Sequence, residues 1–260
     1  MSEEKENENV AVEPAPDEDA ASVHGTAAED NAPAATVDEA LPESADVPAS
    51  IGRKVGMTNV FDEFGVMIPV TVLEVGPCVV LQRKNTSADG YEAVQLGYLD
   101  QKESRMPRPA IGHCKKAGTA PKRFVREVRV DASSPVKSGD TVTVRTFEDV
   151  PYVDVLATTK GRGFQGVVKR HNMAGGRMSH GGHSKRRPGA IGCSSYPANV
   201  SKGKAMPGHM GNRSITVQNL AVVQVRGADN LLLVRGAVPG PNGGVVFVRR
   251  ALKKKAKATS

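Results

Sequence analysis

The chain has 260 residues, with 35 Lys and Arg against 28 Asp and Glu and a formal charge of +7. The charge is unevenly placed: residues 1–50 hold fourteen acids and one basic residue, Lys5, for a formal −13, and the other 210 residues carry +20. A body this basic indicates a polyanionic partner. No apolar run approaches the roughly 20 residues of a membrane helix, and residues 1–50 are neither a secretory signal nor a transit peptide, so we expect a soluble cytoplasmic protein without a membrane partner.

Residues 1–50 are predicted to be a disordered acidic extension. They are rich in Glu, Asp, Ala and Pro and contain no aromatic residue. Such a composition cannot bury enough apolar surface to offset the conformational entropy lost on folding. The folded part is therefore expected to begin at about Ile51.

Short β-branched runs follow Ile51 and alternate apolar with polar residues. Turn dipeptides such as Asp89-Gly90 separate them, which is typical of an antiparallel barrel or sandwich. The predicted β body comprises residues 51–157 and 213–250, on both sides of an insertion at residues 158–212. The runs read VMIPVTVLEV, PCVVLQRK, YEAVQLGYL, KRFVREVRV and DTVTVRTF before the insertion, and RSITVQNLAVVQVRG, NLLLVRGAV and GGVVFVRR after it.

The insertion is distinguished by its charge. Between Asp154 and Asp229 there is no acidic residue over 74 positions, whereas twelve Lys or Arg and four His fall in the same span. Twelve glycines between Gly161 and Gly211 make the segment costly to order, and it has neither strand alternation nor a helical stripe. It is predicted to be a long, largely irregular extension that needs an outside counter-charge.

Gly161, Gly163 and Gly166 have the G-x-G-x-x-G spacing of dinucleotide-binding and kinase loops. A dinucleotide site also needs a following helix and a carboxylate about 20 residues further on, and phosphoryl transfer needs carboxylates that hold metal. No acid occurs as far as Ala228. An enzyme is therefore not predicted: no catalytic residue, cofactor or small-molecule substrate is assigned, and the glycines are interpreted as sites where the backbone closely approaches a bulky anion.

Cysteine and histidine residues do not predict a metal site. Cys78, Cys114 and Cys193 are too widely spaced for a disulfide framework or a C-x-x-C pair, and we expect reduced thiols. A catalytic pair of Cys193 with a histidine would lack an acid to orient the base. The grouping of Cys193 with three histidines fits no familiar zinc spacing and lies among cationic side chains, which disfavour a bound cation. These histidines are His180, His183 and His209.

Basic residues in a glycine-rich, non-periodic segment suit RNA better than duplex DNA. Side chains cannot read the deep groove of A-form RNA, so RNA-binding arms follow phosphates, ribose hydroxyls and irregular shape. A solvated basic surface would normally include interspersed acids, which are missing here. Residues 251–260 are predicted to be a second basic tail, either binding phosphate or simply aiding solubility.

Five sequence blocks, in order, resemble the bacterial uL3 family of large-subunit ribosomal proteins. The resemblance runs from Ile51 to about Leu252 and leaves out only the acidic extension. The blocks are GRKVGMTNVFDEFGVMIPVTVLEV at 52–75, KGRGFQGVVKRHN at 160–172, HGGHSKRRPGAIG at 180–192, KGKAMPGHMGN at 202–212 and NLLLVRGAVPGPNGG at 230–244.

The resemblance implies a translation-protein-type β-barrel on the surface of the large ribosomal subunit. From it, the extension would thread the 23S-type rRNA towards the peptidyl transferase centre. The implied function is structural and non-catalytic: direct rRNA binding early in subunit assembly, beside neighbouring large-subunit proteins.

The expected site residues come from the acid-free segment and the matched blocks together. The residues expected to lie along RNA are Lys160, Arg162, Lys169, Arg170, Arg177, His180, His183, Lys185, Arg186, Arg187, Lys202, Lys204, His209, Asn212 and Arg213. The expected tip near the peptidyl transferase centre is Gly192, Cys193, Ser194, Ser195, Tyr196 and Pro197. Close backbone approach is expected at Gly161, Gly163, Gly166, Gly203, Gly208 and Gly211.

Two features depart from the family pattern. Many bacterial members carry a methylated glutamine at the tip, where this chain has Cys193, Ser194 and Ser195, so that modification is expected to be absent. The acidic extension has no counterpart at the usual start of the family. We hypothesise that it shields the basic body from unwanted RNA before assembly, or contacts a neighbour.

Overall fold

The computed structural model describes residues 45–254, which fold as a mainly β structure. Three helices are α1 (Thr86–Asp89), α2 (Arg108–Lys116) and α3 (Val167–His171), and 3₁₀ turns form at Glu103–Arg105 and Val144–Phe147. The strands in this part of the chain are β1 (Ala49–Phe61), β2 (Met67–Val75), β3 (Cys78–Lys84), β4 (Ala93–Asp100), β5 (Lys122–Arg129), β6 (Thr141–Val142), β7 (Tyr152–Thr158), β8 (Phe164–Gln165), β9 (Gly208–His209), β10 (Ser214–Arg226), β11 (Leu231–Arg235) and β12 (Val245–Arg250).

Six strands close into an antiparallel barrel in the order β1, β12, β7, β10, β11 and β2. Alternate side chains of each strand point inwards, as in β7, where Val153, Val155 and Ala157 are buried. They pack with Leu232 and Val234 of β11 in one apolar cluster. The predicted mainly β fold with a barrel is therefore confirmed, and the first and last strands of the body lie side by side in it.

A second sheet, in the order β5, β4, β3 and β6, has its own core. Val80, Leu96 and Val128 of this sheet pack in one cluster with Ala49 and Ile51 of β1. The first half of β1 therefore joins the two sheets, because it supplies side chains to the second core while its backbone pairs within the barrel.

Two parts of the body differ from the predicted strands. The DTVTVRTF run forms only the two-residue strand β6 and then a 3₁₀ turn, which buries Val144 and Phe147 at the three-residue spacing of that helix. The second difference is α2, which the alternation did not predict. Pro109 in its first turn and the basic residues in its last turn are sequence signals for a helix. Only Cys114 of this helix is buried, so it has no apolar stripe that would have predicted it.

The ordered body begins before Ile51. Val47 is fully buried, and the Ala45 amide donates a hydrogen bond of 3.1 Å to the Thr141 carbonyl. The rest of the predicted disordered extension, and residues 255–260 of the predicted basic tail, lie outside the described residues. Within residues 45–254 no helix is both long enough and apolar enough to span a bilayer.

Candidate RNA interface

The segment between β7 and β10, residues 159–213, is called the arm. Its two legs leave the barrel as an antiparallel pair, because β7 and β10 are paired up to Thr158 and Ser214. The pairing continues outwards: the Thr159 amide donates to the Arg213 carbonyl at 2.9 Å, and the Arg162 amide donates to the Met210 carbonyl at 2.9 Å. The short strands β8 and β9 extend the same ladder. The base of the arm is therefore a regular ribbon anchored in the barrel.

The helix α3 follows this ribbon and ties the outgoing leg to the returning one. Val167, at its start, is 1% exposed. Arg170 donates from Nη1 to the Met206 carbonyl at 2.7 Å, and Nε2 of His171 lies 3.0 Å from the same oxygen. The helix ends at His171 and is capped by Asn172, which has left-handed backbone angles. Five residues of helix thus set the shape of the arm's base.

A cleft of about 640 Å³ opens at this base, and we call it the basic cleft. Six cationic or titratable nitrogen side chains line it, and no carboxylate does. Among the described residues, no cation of the arm forms an ion pair with an acid. The concentrated charge therefore has no counter-ion within residues 45–254 and favours an anionic ligand. The six residues are Lys160, Arg162, Arg170, His171, His209 and Arg213.

Lys54 of β1 adds a buried cation close to the cleft. Its Nζ donates a hydrogen bond of 2.8 Å to the Val238 carbonyl. Burial, together with the charge of Lys160, lowers the pKa of the Lys54 ammonium. The lowered pKa reflects first the cost of burying the ammonium and then its repulsion by Lys160, and an anion in the cleft would reduce this repulsion.

The distal arm is held by backbone contacts between glycines and neighbouring turns. The Gly176 amide donates to the Lys185 carbonyl at 3.0 Å, and a Cβ on Gly182 would lie 2.4 Å from the Arg177 carbonyl oxygen. The polar side chains of this region face solvent. The exposed predicted residues here are Arg177, His180, His183, Lys185, Arg186 and Arg187.

Beyond these turns the arm has no core of its own. All residues from 183 to 204 are exposed, and no helix or strand forms between α3 and β9. Tyr196 is 89% exposed, and Cys193 is exposed as well. A stretch this long is not stabilised by its own apolar burial, so its shape depends on what surrounds it. The whole predicted tip, residues 192–197, lies in this stretch.

The predicted RNA-binding residues fall into two groups. Lys160, Arg162, Arg170, His209 and Arg213 come together in the basic cleft. The others are spread along the exposed surface of the arm rather than gathered at one point. Besides the distal residues already named, this second group contains Lys169, Lys202, Lys204 and Asn212.

The predicted close-approach glycines also divide into two groups. A Cβ on Gly211 would lie 2.2 Å from the Lys160 carbonyl oxygen, and one on Gly208 would lie 2.7 Å from Nη1 of Arg170, so both approach the arm itself. At the remaining four, an added Cβ would have no such close contact with residues 45–254. These four are Gly161, Gly163, Gly166 and Gly203.

The described residues offer no arrangement for the nucleotide or metal alternatives. Every strand pairing in this part of the chain is antiparallel, whereas a dinucleotide fold places its glycine loop at the end of a parallel strand. No three His, Cys, Asp or Glu residues between positions 45 and 254 are grouped as metal ligands would be.

Sequence reasoning missed three residues of the cleft region. His171 lies between Asp154 and Asp229, where the chain has no acidic residue, and this feature of the sequence could have identified it. Thr159 pairs with Arg213 through its backbone and its hydroxyl, but nothing in its local sequence indicates this. Lys54 is more than 100 residues away from the arm in the chain, and only the closed barrel brings it near Lys160.

Several known proteins are similar to this chain. The family model described as "Ribosomal protein L3" matches residues 128–230. The large ribosomal subunit protein uL3 of Brachyspira pilosicoli is 52% identical over 207 residues, which cover 80% of this chain and 95% of that protein. The uL3 proteins of Geobacter sulfurreducens and Pelobacter propionicus are 48% and 47% identical over 203 residues, covering 78% of this chain and 97% of each relative.

Proposed function

Since this chain belongs to the uL3 family of ribosomal proteins, we propose that it is a component of the large ribosomal subunit and binds the rRNA of that subunit directly through its arm and basic cleft. The family is a structural, non-enzymatic part of the ribosome. The proposed activity is accordingly RNA binding and shaping in the cytoplasmic ribosome, with no catalytic residue.

The observation that carries this proposal is the unneutralised charge of the arm. Eleven Lys or Arg and no acid occupy residues 159–213, and residues 183–204 are all exposed. Each phosphate that such a side chain neutralises releases counterions, so binding is strong and falls steeply with salt. A folded rRNA supplies phosphates over the length of an extended arm, and a small anion does not.

The basic cleft supplies an anchor with defined geometry. Arginine guanidinium groups bind phosphate oxygens through two parallel hydrogen bonds, which fixes orientation as well as affinity. Arg162, Arg170 and Arg213 line the cleft together, and the ribbon beneath them is anchored in the barrel. We infer that the cleft holds the rRNA backbone where it passes the barrel and that the arm continues into the RNA from there.

The exposed tip suggests how the arm is used. Residues 183–204 bury nothing of their own, so they gain a defined shape when RNA encloses them. A segment of this kind is inserted most easily before the RNA around it has closed, which favours binding early in subunit assembly. Following the family resemblance, we place Gly192, Cys193, Ser194, Ser195, Tyr196 and Pro197 towards the peptidyl transferase centre.

Sucrose-gradient sedimentation of a cell lysate tests the proposal, with a cleft variant carrying Lys160→Gln, Arg162→Gln, Arg170→Gln and Arg213→Gln. The native chain is expected to sediment with large subunits at moderate salt, and the cleft variant is expected to be depleted from them. A matched control replaces four exposed body cations, Lys102, Arg105, Arg108 and Arg126, by Gln. A native chain found mainly at the top of the gradient would contradict subunit membership and favour a free RNA- or DNA-binding regulator. Equal loss in both variants would contradict the role of the cleft.

A further inference from the structure

The β1–β2 hairpin extends beyond the barrel. β12 pairs with β1 only from Ala49 to Arg53, and β11 pairs with β2 only from Val70 to Glu74. The ribbon formed by residues 56–69, which we call the hairpin, therefore has no third strand. None of residues 55–69 is buried. Two strands without a packed face have little stability in water, so this ribbon depends on the barrel below it and on whatever covers it.

A tight turn holds an aromatic ring at the end of the hairpin. The Asp62 amide donates to the Val66 carbonyl at 3.0 Å, and the Gly65 amide donates to the Asp62 carbonyl at 2.8 Å. Gly65 has a φ of +73°, which a non-glycine residue adopts only with strain. Phe64, within this turn, is 87% exposed. The backbone hydrogen bonds thus fix Phe64 in a position where its ring packs on none of residues 45–254.

One face of the ribbon is apolar and exposed. Phe61 lies directly opposite Met67 in the strand register, so their side chains share a face, and they are 69% and 57% exposed. Met57 lies four register positions further in, which places it on the same face, and is 54% exposed. Exposed apolar patches of this kind on a soluble domain indicate a binding surface.

The charge of the hairpin is opposite to that of the rest of the body. No Lys or Arg occurs from Val55 to Gln82, and the turn carries Asp62 and Glu63. A phosphate backbone would be repelled by these carboxylates and would find no cation to pair with. The hairpin is therefore suited to bind an apolar groove with Lys or Arg at its edge. Such a groove is found on a protein and not on RNA.

We propose that the hairpin docks into an apolar, basic-rimmed groove on a neighbouring protein of the large subunit, with Phe64 as the anchor and Asp62 and Glu63 paired to cations of the partner. This inference rests on the proposed function, because it is the subunit that brings such a neighbour within reach. A second copy of the chain fits less well, since two acidic hairpins repel each other. The acidic residues 1–44 fit less well for the same reason.

Photo-crosslinking of the full chain inside assembled subunits tests the proposal. A benzophenone amino acid replaces Phe64 in one variant and Tyr196, the 89% exposed aromatic of the arm, in a matched control. After irradiation and gradient purification, position 64 is expected to give an adduct with a basic ribosomal protein, and position 196 an adduct with rRNA. An adduct of position 64 with rRNA or with a second copy would overturn the proposal, as would incorporation into subunits without any adduct. Failure of both variants and the native chain to enter subunits would instead overturn the proposed function.

Substitution of the anchor gives an independent measurement. Phe64→Ser in the full chain, with the photo-reactive residue now at Met67, is expected to lower the yield of the same protein adduct about tenfold, because a central aromatic anchor carries much of an interface's affinity. The control is Val125→Ser, an exposed apolar side chain on β5, outside both the hairpin and the arm. Asp62→Lys with Glu63→Lys is expected to lower the yield as well. An unchanged yield in both hairpin variants would contradict the proposed docking.

Discussion

Arg170 and Met206, 36 residues apart in the chain, are joined by a hydrogen bond of 2.7 Å from a guanidinium nitrogen to a backbone carbonyl. The same guanidinium lines the basic cleft and lies so close to Gly208 that a Cβ there would be 2.7 Å from Nη1. One side chain therefore both closes the base of the arm and supplies charge to the surface that we propose binds RNA.

Arg170→Gln is expected to weaken RNA binding more than the loss of one charge explains. A hydrogen bond from a charged donor contributes about 1.5–3 kcal/mol, so its loss should loosen the base of the arm. The measurements are hydrogen exchange at the Arg162 and Met210 amides and the salt dependence of rRNA-fragment binding.

The matched control for this variant is Lys169→Gln, the neighbouring exposed cation of α3. It is expected to reduce the salt slope by about one and to leave hydrogen exchange unchanged. Equal effects of the two substitutions on affinity and exchange would show that Arg170 acts by charge alone.

Local patterns in the sequence predicted the strands because apolar alternation is a property of neighbouring residues. The runs after Gly65 correspond to β2, β3, β4 and β5, and those after the arm to β10, β11 and β12. The limits of β1 were not predicted, since its outer half is a ribbon whose apolar side chains are not buried by the described residues. Barrel closure was an expectation from family resemblance, because the pairing of β1 with β12 joins residues nearly 200 positions apart.

The charge of the arm was visible in the sequence, but its geometry was not. The absence of Asp and Glu over 74 positions can be read directly from the sequence. The cleft, in contrast, requires Lys160 and Arg162 to face Arg213 across a ladder of backbone hydrogen bonds, and such bonds carry no side-chain signature. The partner of Gly211 is likewise a backbone oxygen 51 residues away in the chain, at Lys160.

Gly211→Ala is expected to disrupt the base of the arm while the barrel stays folded. The residue has a φ of +77°, and the new Cβ would lie 2.2 Å from the Lys160 carbonyl oxygen. Left-handed strain costs about 1–2 kcal/mol and the steric clash adds to it, so the ladder at Arg162 and Met210 should open. Limited proteolysis of the arm and rRNA-fragment affinity are the measurements.

Gly166→Ala is the control for this substitution. Gly166 has a φ of −70°, and no atom of the described residues lies within 4 Å of an added Cβ there. The free Gly166→Ala chain should therefore be cleaved by protease at the same rate as the native chain. If the arm of Gly211→Ala were cleaved as slowly as that of the native chain, the close approach of Gly211 to the Lys160 carbonyl would not hold the arm together.

Cys193 is expected to react with a maleimide much faster than the other two thiols. It is exposed on the arm, whereas Cys78 and Cys114 are buried. Burial also raises the pKa of the Cys78 thiol, which reduces the reactive thiolate further. Mass spectrometry of the free chain should find one rapid modification, with the other two appearing only on unfolding.

The same reaction in assembled subunits tests where the tip lies. If rRNA encloses the tip, Cys193 should be protected in subunits and react again once the RNA is digested. A Cys193→Ser variant identifies the fast site. Rapid labelling of Cys193 in intact subunits would contradict the proposed path of the arm.

The acid stability of the body should depend on Glu127. Lys84 lies 2.7 Å from its carboxylate and the Tyr91 hydroxyl donates to it at 2.9 Å, and these hydrogen bonds lower the pKa of Glu127. A carboxyl whose pKa is lowered in the folded state contributes stability above its unfolded pKa, roughly 4.3, and this contribution is lost as the pH falls through the folded pKa. Glu127→Gln should therefore be less stable at neutral pH, by at most about 1 kcal/mol for a partly exposed pair.

Urea unfolding at neutral pH and at a pH below the folded pKa measures this effect. The difference between Glu127→Gln and the native chain should shrink at the acidic pH. Glu103→Gln is the control, because the Glu103 carboxylate is 59% exposed and lies 3.6 Å from Lys115. A difference that persists unchanged in acid would mean that Glu127 acts through packing and not through its charge.

Deletion of residues 1–44 is expected to leave the body folded and to increase binding to unrelated RNA. The cut keeps Val47, which is fully buried, and Asp46, which pairs with Arg250, but removes thirteen acidic residues. The Arg250 amide also donates to the Pro48 carbonyl at 2.9 Å, so the described residues 46–48 lie beside Arg250. Carboxylates tethered to the same chain have a high effective concentration at the body, so they are expected to compete with RNA for its cations.

Filter binding to a non-ribosomal RNA over a range of salt concentrations measures this competition. The deletion should bind about tenfold more tightly at low salt, and the difference should shrink as salt screens the charges. A second variant keeps the length of residues 1–44 but replaces each Asp and Glu by Asn and Gln, and it should behave like the deletion. If the neutral variant behaved like the native chain, the effect of the deletion would come from steric exclusion. If neither variant bound more tightly, the acidic extension would have no shielding function, and a contact with a neighbouring protein would be the interpretation left.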